Sequence, residues 1–480
     1  MFTARNIHYE LADKTRGLGP GGIGAIHLLA RHSGLVQAID RQLHLLKVHK
    51  PYHESDHVLN IAYNLLSGGE CLEDLELLRN DEVYLDALGA QRIPDPTTAG
   101  DFCRRFREAD VQTLMDTINQ VRLGIWRRQP ACFLQQAIIE ADGTLVTTTG
   151  ECKQGMDISY QGEWGYHPLI LSLANTAEPL FIVNRPGNRP SHEGAAGYFD
   201  QAIRLCRQAG FKEILLRADT DFTQTAELDR WDADGVGFIF GIDARPNLVE
   251  YAEKLPASAW SRLERPARYP VKTTPRRKPE NVKERIVRER EFENIRLVSE
   301  DVAECSYRPT ACRKFYRLIV VRKNLSVEKG ERVLFDDVRY FFYISNDYEP
   351  TAAEVVFLAN DRGNQEKLIE QLKNGAKALD VPVDNLVSNW AYMVMGSLAW
   401  TLKAWFGLIL PETGRWAERH QAEKELVRKM EFKRFVNAFV RLPAQIVRQA
   451  RRVVYRLLAW NPWQHVFLRA VDTLCCPMRC

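Results

Sequence analysis

Several absences narrow the class of this chain before any motif is read. No stretch approaches the ~18 consecutive apolar residues of a membrane span. The most apolar helical run, residues 390–410, is broken by Gly396, Lys403 and Gly407, so no membrane partner is expected. Residues 1–20 contain no apolar core of a secretory signal. The ten cysteines are mostly single; only Cys475, Cys476 and Cys480 cluster, and no His pair near them completes a zinc pattern. Free thiols in a reducing cytoplasm are therefore expected. There is no repeat of solenoid period. There is also no Walker loop, no GxSxG elbow and no HExxH helix, which removes P-loop NTPases, α/β-hydrolases and zincins. Surplus charge of one sign is lacking too: the net charge is +3, which says little about partners.

What is present is an ordinary globular composition, 45% hydrophobic and 26% charged over 480 residues, enough for two to four domains. Basic residues outnumber acidic ones locally, from Arg262 to Arg296 and from Arg415 onward. Such tracts are either solvated charged faces or contacts to a polyanion.

Residues 1–130 read as a helical region, with apolar residues at three and four spacing in 58–66, 72–78 and 111–126. Within it, Asp95 is placed to cap a helix that starts at Pro96. That helix would carry Arg104, Arg105 and Arg107. It fits either a capped bundle helix or the entry to a helix-turn-helix recognition helix that touches DNA.

From 131 to 247 the pattern changes to β-β-β-α-β-α-β, an α/β layout with a mixed sheet. Strands are expected at 136–141, 145–149, 168–173, 213–218 and 236–242, with Asp142-Gly143 as a turn and helices at 193–208 and 223–231. Residues 248–337 read as a β-rich insertion whose runs, including 315–322, pair with each other and not with the central sheet. Residues 338–410 return to the core as a strand and helices. The last segment, 411–480, reads as a pair of basic helices split by Pro443 and ended near Pro462.

The acids fall at informative places. Asp142 ends the first strand of the sheet and Asp219 the fourth. If those strands are neighbours, the two carboxylates lie side by side where open α/β sheets bind ligands. Close carboxylates repel and need a cation between them, and hard oxygen donors suit Mg²⁺ or Mn²⁺. A third acid should come from a helix. Arg362, Glu366 and Lys373 would point within roughly 40° of one another at about 100° per residue, giving one carboxylate for the metal site and two cations for phosphate oxygens. The competing reading of Arg362 and Glu366 is a plain i,i+4 salt bridge in its weaker orientation. His167 and His192 read as structural, and Trp164 and Trp231 as either core residues or platforms for flipped bases.

These residues resemble the DDE triad of bacterial insertion-sequence transposases. Arg362-x3-Glu366-x6-Lys373 is similar to the signature around that family's catalytic Glu, although Ala359 stands where the signature has Tyr. The stretches at 184–195 (NRPGNRPSHEGA) and 216–222 (LRADTDF) are similar to group 1 DDE-domain transposases, with Asp221 where a small residue is more usual. The resemblance covers about residues 15–410. It implies an RNase H-like core, a triad of Asp142, Asp219 and Glu366, two Mg²⁺ ions for which Mn²⁺ can substitute, and double-stranded DNA as substrate. The DNA would comprise terminal inverted repeats and a target, held by a homodimer in the synaptic complex, with the enzyme at the bacterial nucleoid. An RNase H-like nuclease or resolvase that cuts without joining, and an inactive DNA-binding derivative, share much of this pattern.

Overall fold

The structure is a computed structural model that describes residues 16–150, 152–265, 282–330, 332–449, 452–458 and 461–475. The basic stretch from Arg262 to Arg296 thus lies partly, and Cys476 and Cys480 wholly, outside the described residues.

The first region is helical, led by α1 (Glu54–Ser67), α2 (Pro96–Arg104) and α3 (Glu108–Trp126). α2 starts as its sequence dictates: the Asp95 carboxylate accepts from the Thr98 backbone N–H at 2.9 Å, and Pro96 takes the first position. α3 buries Val111, Leu114, Ile118, Ile125 and Trp126 at helical spacing.

The sheet follows, with β1 (Gln136–Gly143), β2 (Leu169–Leu173), β3 (Glu178–Val183), helix α4 (Ala195–Ala209), β4 (Glu213–Ala218) and β5 (Gly237–Ile242). The lateral order of these strands is β3-β2-β1-β4-β5. β2 is antiparallel to β1 and β3, whereas β4 runs parallel to β1 and β5 parallel to β4.

This is the expected mixed α/β order with one exchange. The run at 145–149 is not in this sheet; Val146–Thr147 pairs instead in a small separate sheet with Trp164–Tyr166. Its place is taken by β3, which the sequence hides because Pro179 reads as a strand breaker. β3 is an edge strand, where a missing N–H is tolerated. Asp142-Gly143 is not a turn: β1 runs through it and Asp142 pairs with Ile170. The helix expected at 223–231 forms only over Leu228–Ala233.

The β runs of the segment read as an insertion pair with one another, and its last strand continues into the central sheet. β6 (Glu293–Tyr307), β7 (Tyr316–Lys329) and β8 (Arg332–Ser345) form a long antiparallel blade, and Phe342 to Ser345 of β8 pair with β5. One nine-stranded sheet results, with the two-residue strand Ser261–Arg262 at its far edge. The boundary expected at 337 falls inside β8. The reason is length: the last part of β8 packs Phe342 and Ile344 into the core, while its first part runs out beyond β5. The run at 315–322 belongs to β7, whose Leu318 to Val321 are buried.

Helices α5 (Ala352–Asn360), α6 (Gly363–Glu370) and α7 (Leu386–Leu408) complete the core, with a π-helical turn at Gln371–Gly375 after α6. α7 is buried almost all round, and among the described residues no helix is long and apolar enough to cross a membrane. A buried ion pair joins the helical region to the sheet. Glu178 of β3 accepts from Arg122 Nε at 3.0 Å and Trp126 Nε1 at 3.0 Å, both of α3, and from Trp405 Nε1 of α7 at 2.8 Å.

The last segment also differs from its expectation. After α8 (Ala417–Arg428), Pro443 leads into a hairpin, β9 (Ala444–Gln449) with β10 (Arg452–Leu457), and not into a helix. Ala444 and Ile446 turn inward with strand periodicity, and β9 also pairs with Gly17–Leu18. α9 (Gln464–Cys475) follows.

Candidate active site

β1 and β4 are adjacent and parallel, and their register sets Glu140 opposite Arg217. Two residues further along each chain stand Asp142 and Asp219, carried by that register to the same end of the sheet. The pair beneath them is a closed unit. Arg217 Nε and Nη2 reach Glu140 Oε1 at 2.8 and 2.6 Å, and Arg217 Nη1 donates to the Leu358 carbonyl of α5 at 2.7 Å. Both side chains are buried. This contact ties β1, β4 and α5 together directly behind the two aspartates.

Glu366 is delivered by α6. Its neighbour Gln365 is buried, donates to the Ile170 carbonyl at 3.0 Å and bonds the Ser172 hydroxyl. Ile170 is the residue opposite Asp142 in the sheet, so the helix is pinned to β2 at the level of the acids.

One side chain meets all three carboxylates. Arg362 Nη1 lies 2.9 Å from Asp219 Oδ2 and 3.6 Å from Asp142 Oδ2, and Nη2 lies 3.3 Å from Glu366 Oε1. The guanidinium is one positive charge facing three acids. Burial, then the neighbouring Asp219 charge, push Asp142 up to about 7 against the pull of Arg362. Asp219 is also raised, chiefly by burial, although its Oδ1 accepts from the Asp221 backbone N–H at 3.1 Å. Glu366 is the outer member, with 65% of its side chain exposed.

Residues 19–476 match the family described as transposase DDE domain, group 1. The chain belongs to this family. It is a DDE transposase, an enzyme of metal-dependent DNA cleavage and transfer, built on the RNase H-like order of β1 to β5. No curated protein matches it. Among solved structures it is similar to a piggyBac transposase in a synaptic complex with hairpin DNA, at 10% identity over 88% of this chain and 82% of that chain. The TM-score is 0.36.

The donor set of the transposase fits a divalent cation in chemistry. Asp142 and Asp219 offer carboxylate oxygens to a single shared nitrogen of Arg362, so a cation already stands between them. Hard, partly exposed oxygens of this kind suit Mg²⁺ or Mn²⁺. Among the described residues no three acids converge tightly enough to enclose one ion. Glu366 is reached through the far side of the guanidinium, so a third carboxylate ligand requires Arg362 to withdraw.

The other sequence-derived residues divide. Lys373 lies in the π-helical turn, not on the regular helix, and the extra residue per turn shifts its phase. It donates to the Leu145 carbonyl at 2.7 Å and touches none of the three acids. Arg104 is the last residue of α2 and is tied to Asp384 at 3.1 Å and Asp101 at 2.9 Å. Arg105 and Arg107 fall in the turn after it, not on the expected helix, and Arg107 pairs with Asp110 at 3.1 Å. The face of α2 that packs inward carries Ala99, Phe102 and Cys103.

Trp231 is core, donating to Asp200 at 2.9 Å against Phe199 and Phe240, whereas Trp164 is 52% exposed. His167 is structural: Nδ1 meets the Arg189 carbonyl at 2.8 Å, and its Nε2 lies where a Cβ at Gly143 would come within 3.0 Å. Glycine therefore admits the imidazole beside Asp142. His192 is exposed.

Two features had no clear sequence signal. The role of Arg185 within the 184–195 stretch is one: its guanidinium and Nε donate to the carbonyls of His167, Pro190, Ser191 and Glu193, which shapes that loop. The other is a cleft of about 520 Å³ in the helical region, lined by Lys47, Lys50 and Arg105 with Asp101 as its acid.

Proposed function

We propose that this transposase binds the terminal inverted repeats of a mobile element, cleaves DNA strands at the element ends and joins them to target DNA. Asp142, Asp219 and Glu366 are its catalytic acids. The observation that carries this reading is the convergence of the three carboxylates on one side chain, Arg362. Two ions are the expected complement, Mg²⁺ with Mn²⁺ able to substitute. When bound they would stabilise charge on the attacking and leaving oxygens of an in-line displacement.

The chain's own groups do the rest. Asp142 and Asp219 are held rigidly by their strands and by the Glu140–Arg217 clamp behind them. Glu366, on the exposed side, can adjust to the substrate. Arg362 is the group that holds the acids together before DNA arrives. With a divalent ion held by those acids, the planar fork of donors of Arg362 would be free for phosphate oxygens. Lys373 braces the loop that follows β1 through Leu145 and acts on the substrate only if that contact opens. Grip on the duplex away from the acids falls to basic surfaces. The cleft of Lys47, Lys50 and Arg105 supports that role better than Arg104 and Arg107, whose charges are already paired. A homodimer in the synaptic complex would let two ends react together.

The test is cleavage and strand transfer on a duplex carrying the element's terminal repeat, with Mg²⁺ and then Mn²⁺. Metal-dependent cleavage followed by joining is expected. Cleavage without joining would make the protein a nuclease or resolvase. End binding with neither would make it an inactive derivative.

A further inference from the structure

The blade carries a surface that the catalytic reading leaves unused. β8 pairs with β7 along its inner edge, but only Phe342 to Ser345 pair with β5 on its outer edge. Among the described residues no strand pairs with that outer edge over residues 332–341. A register shift opposite Val327 and Glu328 leaves Leu334 bulged. The regular free edge is therefore residues 335–341, bounded by a bulge at one end and by β5 at the other. Alternate residues along it turn their backbone donors and acceptors to the free side, and Phe335, Val338 and Phe341 are exposed, Phe335 at 59%. A free edge with exposed aromatics is a template for another strand, and proteins blunt such edges with proline, charged side chains, bulges or brevity; here the charges are of both signs and can pair across a twofold. Residues 335–341 (FDDVRYF) contain neither proline nor lysine.

We propose that this edge pairs antiparallel with the same edge of a second copy of the chain, about a twofold axis through Val338. An isologous contact sets each residue against its reflection, and strand pairing keeps partners on the same face of the sheet. Centring on Val338, the midpoint of the free edge, uses all of it. Phe335 then faces Phe341 of the second copy, and Asp337 faces its Arg339, each contact occurring twice. Asp337 and Arg339 already lie on one face, since they bond each other at 3.0 Å within the chain. Aromatic pairs and opposite charges are favourable across strands, and like charges are not. Centring on Asp336, Asp337 or Arg339 would set a charge against its own copy. The composition of the edge thus selects both the partner and the register. This contact is independent of the acid cluster and of DNA.

The experiment is sedimentation equilibrium of the full chain without DNA or divalent ions. Wild type should form a dimer. Asp337→Arg alone, or Arg339→Asp alone, sets like charges opposite each other twice and should weaken the dimer by roughly tenfold or more. A 1:1 mixture of the two single variants should restore dimer as a heterodimer, and the double variant Asp337→Arg/Arg339→Asp should restore it within one chain. Unchanged far-UV circular dichroism would exclude misfolding of the single variants. A monomeric wild type, a dimer indifferent to either single swap, or a mixture that stays monomeric would overturn the proposal.

Discussion

Two charge clusters in this protein are mirror images. At the ends of β1 and β4 one cation, Arg362, stands among three carboxylates. Between α8 and α9 one carboxylate, Glu423, stands among three basic side chains, with Arg419, His465 and Arg469 each at 2.8 Å. The acids respond in opposite directions. Burial would raise Glu423, but hydrogen bonds from His465, Arg469 and Arg419 overcome it and hold the acid at about 2. Asp142, buried and beside the Asp219 charge, is driven up to about 7 against the pull of Arg362. The Glu423 cluster is saturated and fastens two helices. The Arg362 cluster is short of positive charge and open to solvent, which is what a divalent cation can supply. Glu140, in its buried one-to-one pair with Arg217 two residues from the aspartates, is likewise pushed up to about 7, chiefly by burial. Glu423 and Glu140 each have at least one full cationic partner and tie elements together, whereas three acids share Arg362.

Substitutions distinguish the roles of these clusters. The largest effect is expected on chemistry. Asp142→Asn, Asp219→Asn or Glu366→Gln should lower strand cleavage by about a thousandfold or more, because each removes a charge proposed to hold the metal. End binding, which comes from Lys and Arg contacts to phosphate, should stay within about twofold. Cleavage and filter binding on the same duplex would check both.

The opposite pattern is expected two residues away. Glu140→Ala leaves the Arg217 guanidinium buried and unpaired and should cost about 3–5 kcal/mol of stability. Asp142→Asn should leave Tm unchanged or raise it, since it removes a repelling charge. Scanning calorimetry of the two variants decides whether the clamp and the cluster are distinct.

Arg362→Ala sharpens the contrast further. Without its guanidinium the three acids face one another, so Tm should fall in chelator and rise again on adding Mg²⁺. A Tm that ignores Mg²⁺ would mean the acids do not share a cation.

The smallest effect concerns the saturated cluster. Glu423 is held below its ordinary value, so its stabilisation is complete above about pH 4.5 and is lost as pH falls toward 2. Hydrogen exchange in α9 should accelerate over that window in wild type. Glu423→Gln should already exchange faster at neutral pH, with little further change in acid.

Much of this was legible in the sequence where a local pattern specified it. The apolar run of β4 ending in Asp219, the capped start of α2 and the Arg362–Glu366 spacing all follow from periodicity and residue chemistry. What was hidden depends on pairing between distant segments. β3 is masked by Pro179, which is harmless only because the strand lies at an edge. β8 joins the central sheet through just four of its residues, so the blade reads as a separate unit. The hairpin after Pro443 is fixed partly by Gly17–Leu18, more than 400 residues earlier in the chain. Lys373 was placed beside Glu366 by helical phase, and a π turn that no periodicity announces moved it to Leu145. Arg362 was expected to meet phosphate; its position among all three acids could not be read from an i,i+4 spacing.

On the proposed reading Asp142, Asp219 and Glu366 together hold divalent ions. Mn²⁺ binding to the full chain, followed by electron paramagnetic resonance as the free-ion signal disappears, tests it most directly. Wild type should take up Mn²⁺ in competition with Mg²⁺, and the double variant Asp142→Asn/Asp219→Asn should leave the free-ion signal intact. Equal Mn²⁺ uptake by wild type and the double variant would contradict the account.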